Sequence, residues 1–373
     1  MITDVFAPLS IPSPPLEWQV LNVPIGEWLH GIIPAIPAEY ALSIRAYAVA
    51  ILIGIIAAVG LTGHRLTQRG VEKGLVLDIS LFTVPLGIIG ARVFHVLTHP
   101  ADYFGEGREL IRVLFIWEGG IAIFGALIGG AIGIYIACRI TGLRFWTFAD
   151  ALAPGLLLAQ AFGRLGNYFN HELFGWPTDL PWGLEIENTN LAFPAGLAEG
   201  TLFHPTFLYE IVWNLIGVAV LLYVERKWSV GRRVIAGLNV LALIPGRLTW
   251  QWGRLIGLYL VWYGAGRIVW ETIRVDPSEI IFGLRTNVWA AVIAVAIGLA
   301  IIVIQSRRHY GTPPSPYLPG RAPAAVVDSE ETYSDSPELG NDAADSSEAP
   351  ALSGAAVSKS ATSGAASSGT GKS

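Results

Sequence analysis

Cysteine, methionine and charge are all scarce in this chain. One cysteine, Cys138, and one methionine occur in 373 residues. A lone cysteine excludes an internal disulfide framework and a cysteine-built metal site. Lying inside an apolar run, Cys138 is expected to be a structural thiol. Charged residues make up 14% of the chain against 53% hydrophobic, with a mean hydropathy of +0.52. That balance belongs to membrane proteins and excludes an ordinary soluble domain. The first forty residues hold no Lys or Arg, so the positively charged start of a cleavable signal peptide is missing. No His-x-x-x-His or acid-rich cluster is expected to offer the ordinary spacing for zinc, magnesium or calcium. A Gly-x-Ser-x-Gly elbow is absent, and span serines such as Ser80 have no obvious histidine partner. There is no Walker loop to draw on ATP, and no paired, helix-broken halves of the kind found in many transporters. Metal, cofactor and nucleic acid are all expected to be absent.

Apolar runs, glycine and tryptophan are what the chain has in quantity, with 42 Gly and 13 Trp. Both suit packed membrane helices with interfacial anchors. Seven stretches approach the ~20 apolar residues needed to cross a bilayer, near 41–61, 76–97, 119–140, 147–165, 205–224, 252–273 and 286–305. GLNVLALIPG (237–246) reads as a re-entrant or interfacial piece. The fold class is therefore all-α, a polytopic membrane bundle of about seven helices. Before it, residues 1–40 carry Pro-rich SIPSPPLEW and amphipathic IGEWLHGIIPAIP, which suit a segment lying on the membrane surface. After residue 310 the composition turns to Pro, Ser, Ala and acids, and residues 306–373 are expected to form a disordered acidic cytoplasmic tail.

Cations fix the expected orientation. One set of loops holds Arg65, Arg69 and Lys73; Arg139 and Arg144; Arg226, Lys227, Arg232 and Arg233; and Arg307 and Arg308. The opposite set is poorer, with none from 165 to 204. The N-terminus is thus expected outside and the C-terminus in the cytoplasm. On that topology Arg45, Tyr47, Arg92, His95, Arg164, Asn167, Asn170, His171, Glu172, His204, Tyr263, Arg267, Glu271 and Arg274 gather in the outer half of the membrane. The inner half is expected to hold little that ionises. A charge at such depth costs at least ~2.5 kcal/mol on insertion scales, so it is paired, hydrated or functional. Tyr263, Arg267, Glu271 and Arg274 recur at helical spacing on one face, and Arg267 and Glu271 are placed to pair. Arginines outnumber the nearby carboxylates Glu172, Glu210 and Glu271. The surplus awaits an anion, most simply a lipid phosphate held by fork-shaped guanidinium groups. Structural ion pairing and snorkelling arginines remain the alternative.

GRLGNYFNHELFG (163–175) closely resembles the signature of bacterial prolipoprotein diacylglyceryl transferases, Gly-Arg-x-Gly-Asn-x-x-Asn-x-Glu-x-x-Gly. HPTFLYE (204–210), YGAGRIVWETIR (263–274) and GARVFHV (90–96) support it, and the resemblance spans roughly residues 40–305. It implies transfer of a diacylglyceryl group from phosphatidylglycerol to the lipobox cysteine of a preprolipoprotein at the bacterial cytoplasmic membrane. A thioether forms and glycerol phosphate leaves. By motif, Arg164 would bind the lipid, with Asn167, Glu172 and Gly175 in the same signature. Tyr263, Arg267 and Glu271 match a second essential group, and Tyr47 a tyrosine near the first span. Arg92 is counted with the lipid-binding residues.

The sequence departs from many relatives at GGIAIFGA (119–126), where Phe124 stands in place of a histidine. Residues 228–250 also form a longer connection than usual. A free cysteine has a pKa of ~8.5, so a cationic pocket would favour the thiolate and stabilise the departing phosphate. Arg164 is expected at the phosphate, and Arg267, held by Glu271, at the developing charge. Glu172, His204 and the leaving phosphate are the candidate proton acceptors. Gly163, Gly166 and Gly175 are expected to let backbone approach the headgroup. A non-enzymatic lipid binder or flippase, and a structural scaffold, are the rival readings.

Overall fold

A computed structural model of the chain describes residues 10–33, 35, 37–105, 107–229, 250–309 and 315–322. The piece expected at 237–246 lies outside them. In chain order the elements are β1 (Val20–Pro24), α1 (Gly26–Ile32), β2 (Ala41–Arg45), α2 (Ala46–Gln68), α3 (Leu75–Thr98), α4 (Ile123–Thr141), α5 (Phe145–Phe169), β3 (Leu184–Glu185), β4 (Leu202–Phe203), α6 (Thr206–Ser229), α7 (Arg254–Ile273), β5 (Ile280–Ile281), β6 (Leu284–Arg285) and α8 (Thr286–Arg308).

Seven long helices occur among the described residues, one for each expected span. Six of them are long and apolar enough to cross a bilayer. The seventh, α7, is diluted by Arg254, Arg267 and Glu271 and falls outside that set. The helices turn Leu and Ile outward, with Leu52, Ile56, Leu81, Leu127 and Ile293 more than half exposed. A surface of that kind needs lipid around it. The first long helix, α2, starts at Ala46 because residues 41–45, assigned above to the first span, instead form β2, antiparallel to β1.

Small residues bring α3 and α4 together. A Cβ at Gly133 would lie 2.7 Å from the carbonyl oxygen of Phe82, and one at Gly129 would run into that of Leu86. Helix backbones in lipid approach this closely only where side chains are missing. Cys138, fully buried beside Ala137 and Ile79, packs in the same layer.

The expectation of an apolar inner half is corrected by a polar knot at the ends of α2 and α6 and the starts of α5 and α7. Glu225 takes both Arg65 and Arg69, the latter at 2.5 Å. Arg65 also donates to the carbonyls of Asp150 (2.7 Å) and Ala151, and Arg69 to that of Thr147 (2.7 Å). Fully buried Asp150 accepts from the backbone N–H groups of Gly253 (2.7 Å), Leu255 (3.0 Å) and Ile256 (2.9 Å). It thereby caps α7 from a neighbouring helix, because the residue before Arg254 is a glycine with no side chain to do so. Counting loop cations concealed this knot: Arg65 and Arg69 look like loop charges until α2 is seen to run to Gln68.

At the same end, residues 315–322, placed above in the tail, pack against the bundle. Tyr317 is buried, bridges Leu143, and its carbonyl accepts from Arg144 Nε at 2.7 Å.

Candidate functional site

At the opposite end, α5, α6 and α7 enclose a cavity of about 300 Å³. Its walls include Gln160, Gly163, Arg164 and Asn167 from α5, Glu210, Trp213 and Asn214 from α6, and Tyr263, Gly266, Arg267 and Trp270 from α7. Tyr47 and Ile123 complete it from the first turns of α2 and α4. Each helix contributes residues three or four apart, so the lining comes from single helical faces.

Arg164 is anchored from two sides. Its Nη2 lies 2.6 Å from Glu210, and its Nη1 donates to Asn167 Oδ1 at 3.1 Å. Arg267 Nη2 lies 2.8 Å from Glu271, the expected i, i+4 pair. Glu271 is wholly buried and is also held by Arg285 at 3.2 Å and by Asn287 Nδ2 at 3.0 Å. Below the cavity, Trp213 and Trp262 exchange indole N–H to carbonyl bonds of 3.2 Å each, with rings 4.4 Å apart, and so lock α6 to α7.

Three buried polar atoms of the lining have no hydrogen-bond partner among the described residues: Arg267 Nη1, Trp270 Nε1 and Gln160 Oε1. Two are donors and one is an acceptor. Buried polar groups in native proteins are paired in the great majority of cases. Two of the three belong to residues of α7 and one to α5, so the unpaired polar atoms flank the cavity on both of those helices.

The other expected site residues fall elsewhere. Glu172 accepts from Asn167 Nδ2 (2.8 Å) and Asn170 Nδ2 (3.2 Å), bracing the turn after α5, and does not line the cavity. Nor does His204, whose Nδ1 is 3.2 Å from the Tyr209 hydroxyl. Gly175 has a packing role: a Cβ there would meet His204 Cβ at 2.8 Å and Ile273 Cγ2 at 2.9 Å. Its backbone bridges Arg274, tying the signature to the end of α7. Gly166 likewise makes room for the Tyr47 ring.

Arg92, expected among the lipid-binding residues, does not line the cavity. Its donors go to the carbonyls of Arg112 (2.5 Å), Val113 (2.8 Å), Gly119 (2.7 Å) and Gly120 (3.0 Å), and it stacks 4.9 Å from the Tyr103 ring. It organises the loop leading into α4. Arg274 is spent on Asp276 at 2.6 Å. Phe124, 44% exposed, tilts against Phe94 at the start of α4, and no histidine lines the cavity. His95 and His99, a His-x-x-x-His pair that the metal-free expectation passed over, stack at 4.4 Å. Among the described residues they belong to no group of three metal-ligating side chains.

Sequence motifs do not contain Gln160, Trp213 and Asn214; Glu210 and Trp270 fall within HPTFLYE and YGAGRIVWETIR, but no site role is read for them from the sequence. Helical spacing holds the signal: Gln160 is one turn before Arg164 on α5, and Asn214 one turn after Glu210 on α6.

These features define a multi-pass membrane protein with a cavity that bears two arginines. A family model described as prolipoprotein diacylglyceryl transferase matches residues 35–304, and the chain belongs to that family. It is 54% identical over 333 residues to a phosphatidylglycerol–prolipoprotein diacylglyceryl transferase of Leifsonia xyli, covering 87% of this chain and 90% of the relative. It is also 41% identical to transferases of that name from Streptomyces coelicolor (72% and 78% covered) and Bifidobacterium longum (77% and 87%).

Proposed function

We propose that this protein transfers the diacylglyceryl group of phosphatidylglycerol to the lipobox cysteine of a preprolipoprotein. The observation that carries this is the set of unfilled donors and acceptor around Arg164 and Arg267, in a chain of this family. A phosphate diester supplies the acceptors that Arg267 and Trp270 lack. The terminal glycerol of the headgroup supplies the hydroxyl that Gln160 lacks.

The thiolate attacks the glycerol carbon bearing the phosphate. A sulfur–carbon bond forms, the carbon–oxygen bond to phosphorus breaks, and glycerol phosphate departs with the electron pair. Arg164 and Arg267 face the phosphate as it gains charge. They are already held by Glu210 and Glu271, so little reorganisation is needed at that moment. Of the possible proton acceptors, Glu210 lies in the cavity, whereas Glu172 and His204 do not; the thiol proton goes to Glu210 or to the departing phosphate. The protein is placed in the bacterial cytoplasmic membrane with α7 as a seventh span. Its N-terminus and this cavity face outward, and its C-terminus faces the cytoplasm, in keeping with the loop cations.

Purified protein in phosphatidylglycerol micelles with a synthetic lipobox peptide tests the activity. The peptide should gain one diacylglyceryl mass as glycerol phosphate appears. Lipid binding with an unchanged peptide would instead favour a binder or flippase.

A further inference from the structure

The lining of the arginine cavity falls into two layers. Arg164, Glu210 and Arg267 form one of them. Four residues away on the same three helices stand Gln160, Asn214 and Tyr263, none of them a charged side chain. α5 and α7 start at the polar knot and α6 ends in it. Gln160 and Tyr263 precede their arginines and Asn214 follows Glu210, so all three lie one turn, about 6 Å, nearer the knot. The bonds exchanged by Trp213 and Trp262 set α6 and α7 level at this point, and their chain neighbours Asn214 and Tyr263 share that depth. Gln160 is tied to α7 as well, since its Nε2 donates to the Tyr259 hydroxyl at 2.9 Å. The uncharged layer is the floor of the cavity.

Two features of the floor have no use within the bundle. Gly163 lines the cavity between the two layers, and a Cβ there would meet nothing within 4 Å. Glycine weakens a helix interior relative to alanine, and no neighbouring helix requires it here. Its bare backbone leaves the way from the arginines to the floor open. Asn214 is the second feature. It is 6% exposed, yet its amide makes no hydrogen bond among the described residues. Neither amide atom is among the buried polar atoms that lack both a surface and a partner. The amide therefore opens on the cavity that it lines. An asparagine that only held helices together would bond across to a neighbour. An amide left unpaired inside a membrane bundle is costly and marks a functional position.

An amide offers two donors and an acceptor, the complement of a hydroxyl, which both gives and takes. The floor has no carboxylate of its own to neutralise an ammonium and no cation for a second phosphate. It suits an uncharged, hydroxylated group. The transferase reading above, on which this assignment rests, seats one hydroxyl of the headgroup's terminal glycerol at Gln160, and that glycerol has two. We propose that Asn214 is a specificity-determining residue that binds the second hydroxyl. One amide from α5 and one from α6 then read the diol, one turn below the arginines that face the phosphate.

The test uses the full chain in detergent micelles with a lipobox peptide and three lipids of identical acyl chains. Their headgroups are glycerol, ethylene glycol and 1,3-propanediol, the last two each keeping one of the glycerol's hydroxyls. Asn214→Leu should raise KM for the glycerol lipid about fivefold, the worth of one neutral hydrogen bond, with little change in kcat. It should do the same for one of the single-hydroxyl lipids and spare the other. A packing role cannot give that pattern, because all three lipids meet the same folded protein. Should Asn214→Leu fail to fold, Asn214→Ala should repeat the pattern. An equal rise for all three lipids would overturn the proposal, leaving Asn214 a contact of the shared diacylglycerol or a structural residue. No rise for any of them would overturn it as well, leaving water at the amide. Failure of the intact protein to modify the peptide with the glycerol lipid would count against the transferase reading itself, a separate outcome.

Discussion

On the proposed mechanism Arg164 and Arg267 play different parts because they are held differently. Arg164 is clamped between Glu210 and Asn167, whereas Arg267 keeps one buried Nη1 without a partner among the described residues. Lysine cannot reproduce a fork, so Arg267→Lys should lower kcat/KM by about a hundredfold with little change in thermal stability, as loss of an electrostatic donor to developing charge does. Gln160→Leu removes the Oε1 acceptor proposed for the headgroup, worth roughly 1 kcal/mol, together with the Nε2 hydrogen bond to the Tyr259 hydroxyl at 2.9 Å. It should raise KM for phosphatidylglycerol severalfold and narrow its preference over phosphatidic acid, which lacks the terminal glycerol. Kinetics on both lipids check this. The Arg267–Glu271 pair was legible in the sequence because i, i+4 neighbours meet on any helix. The Arg164–Glu210 pair was not, since it depends on how α5 meets α6. The partners of Arg92 were not legible either, since they are backbone carbonyls of a loop, which no charge count reveals.

Among the elements, α7 is the long helix that falls outside the membrane-crossing set, and it carries half of the arginine pair. Its start is capped only through Asp150 of α5 among the described residues. The helix that holds Arg164 at one end therefore grips the helix of Arg267 at the other. Asp150→Ala should cost about 2–3 kcal/mol by stranding buried N–H groups, and Asp150→Asn less. Melting temperature in detergent, tracked by intrinsic fluorescence, measures both. Long apolar runs made six helices plain from sequence. The start of α2 was not plain, because Ala41–Arg45 runs without a break signal into the apolar stretch from Ala46 and is diverted only by pairing with β1. Tyr317 packing against Leu143 was equally hidden, since a solitary aromatic in a polar stretch carries no periodicity.

For the molecule as a whole, the two ends divide the labour. A polar knot joins α2, α5, α6 and α7 at one end, and the arginine cavity opens at the other. On the proposed topology, set by the loop cations, the knot lies on the cytoplasmic side. With Cys138 replaced by Ala, a cysteine at exposed Asp179 should react with a membrane-impermeant maleimide on intact cells. One at exposed Glu72 should react only after permeabilisation. The reverse pattern would invert the topology. The central claim is that the arginine cavity performs the transfer, and the direct measurement compares intact protein with Arg164→Ala in the peptide mass assay while lipid binding and melting temperature are recorded. The account predicts a folded variant that forms no detectable thioether product and releases no glycerol phosphate. A folded Arg164→Ala protein that modifies the peptide at near the intact rate would contradict it.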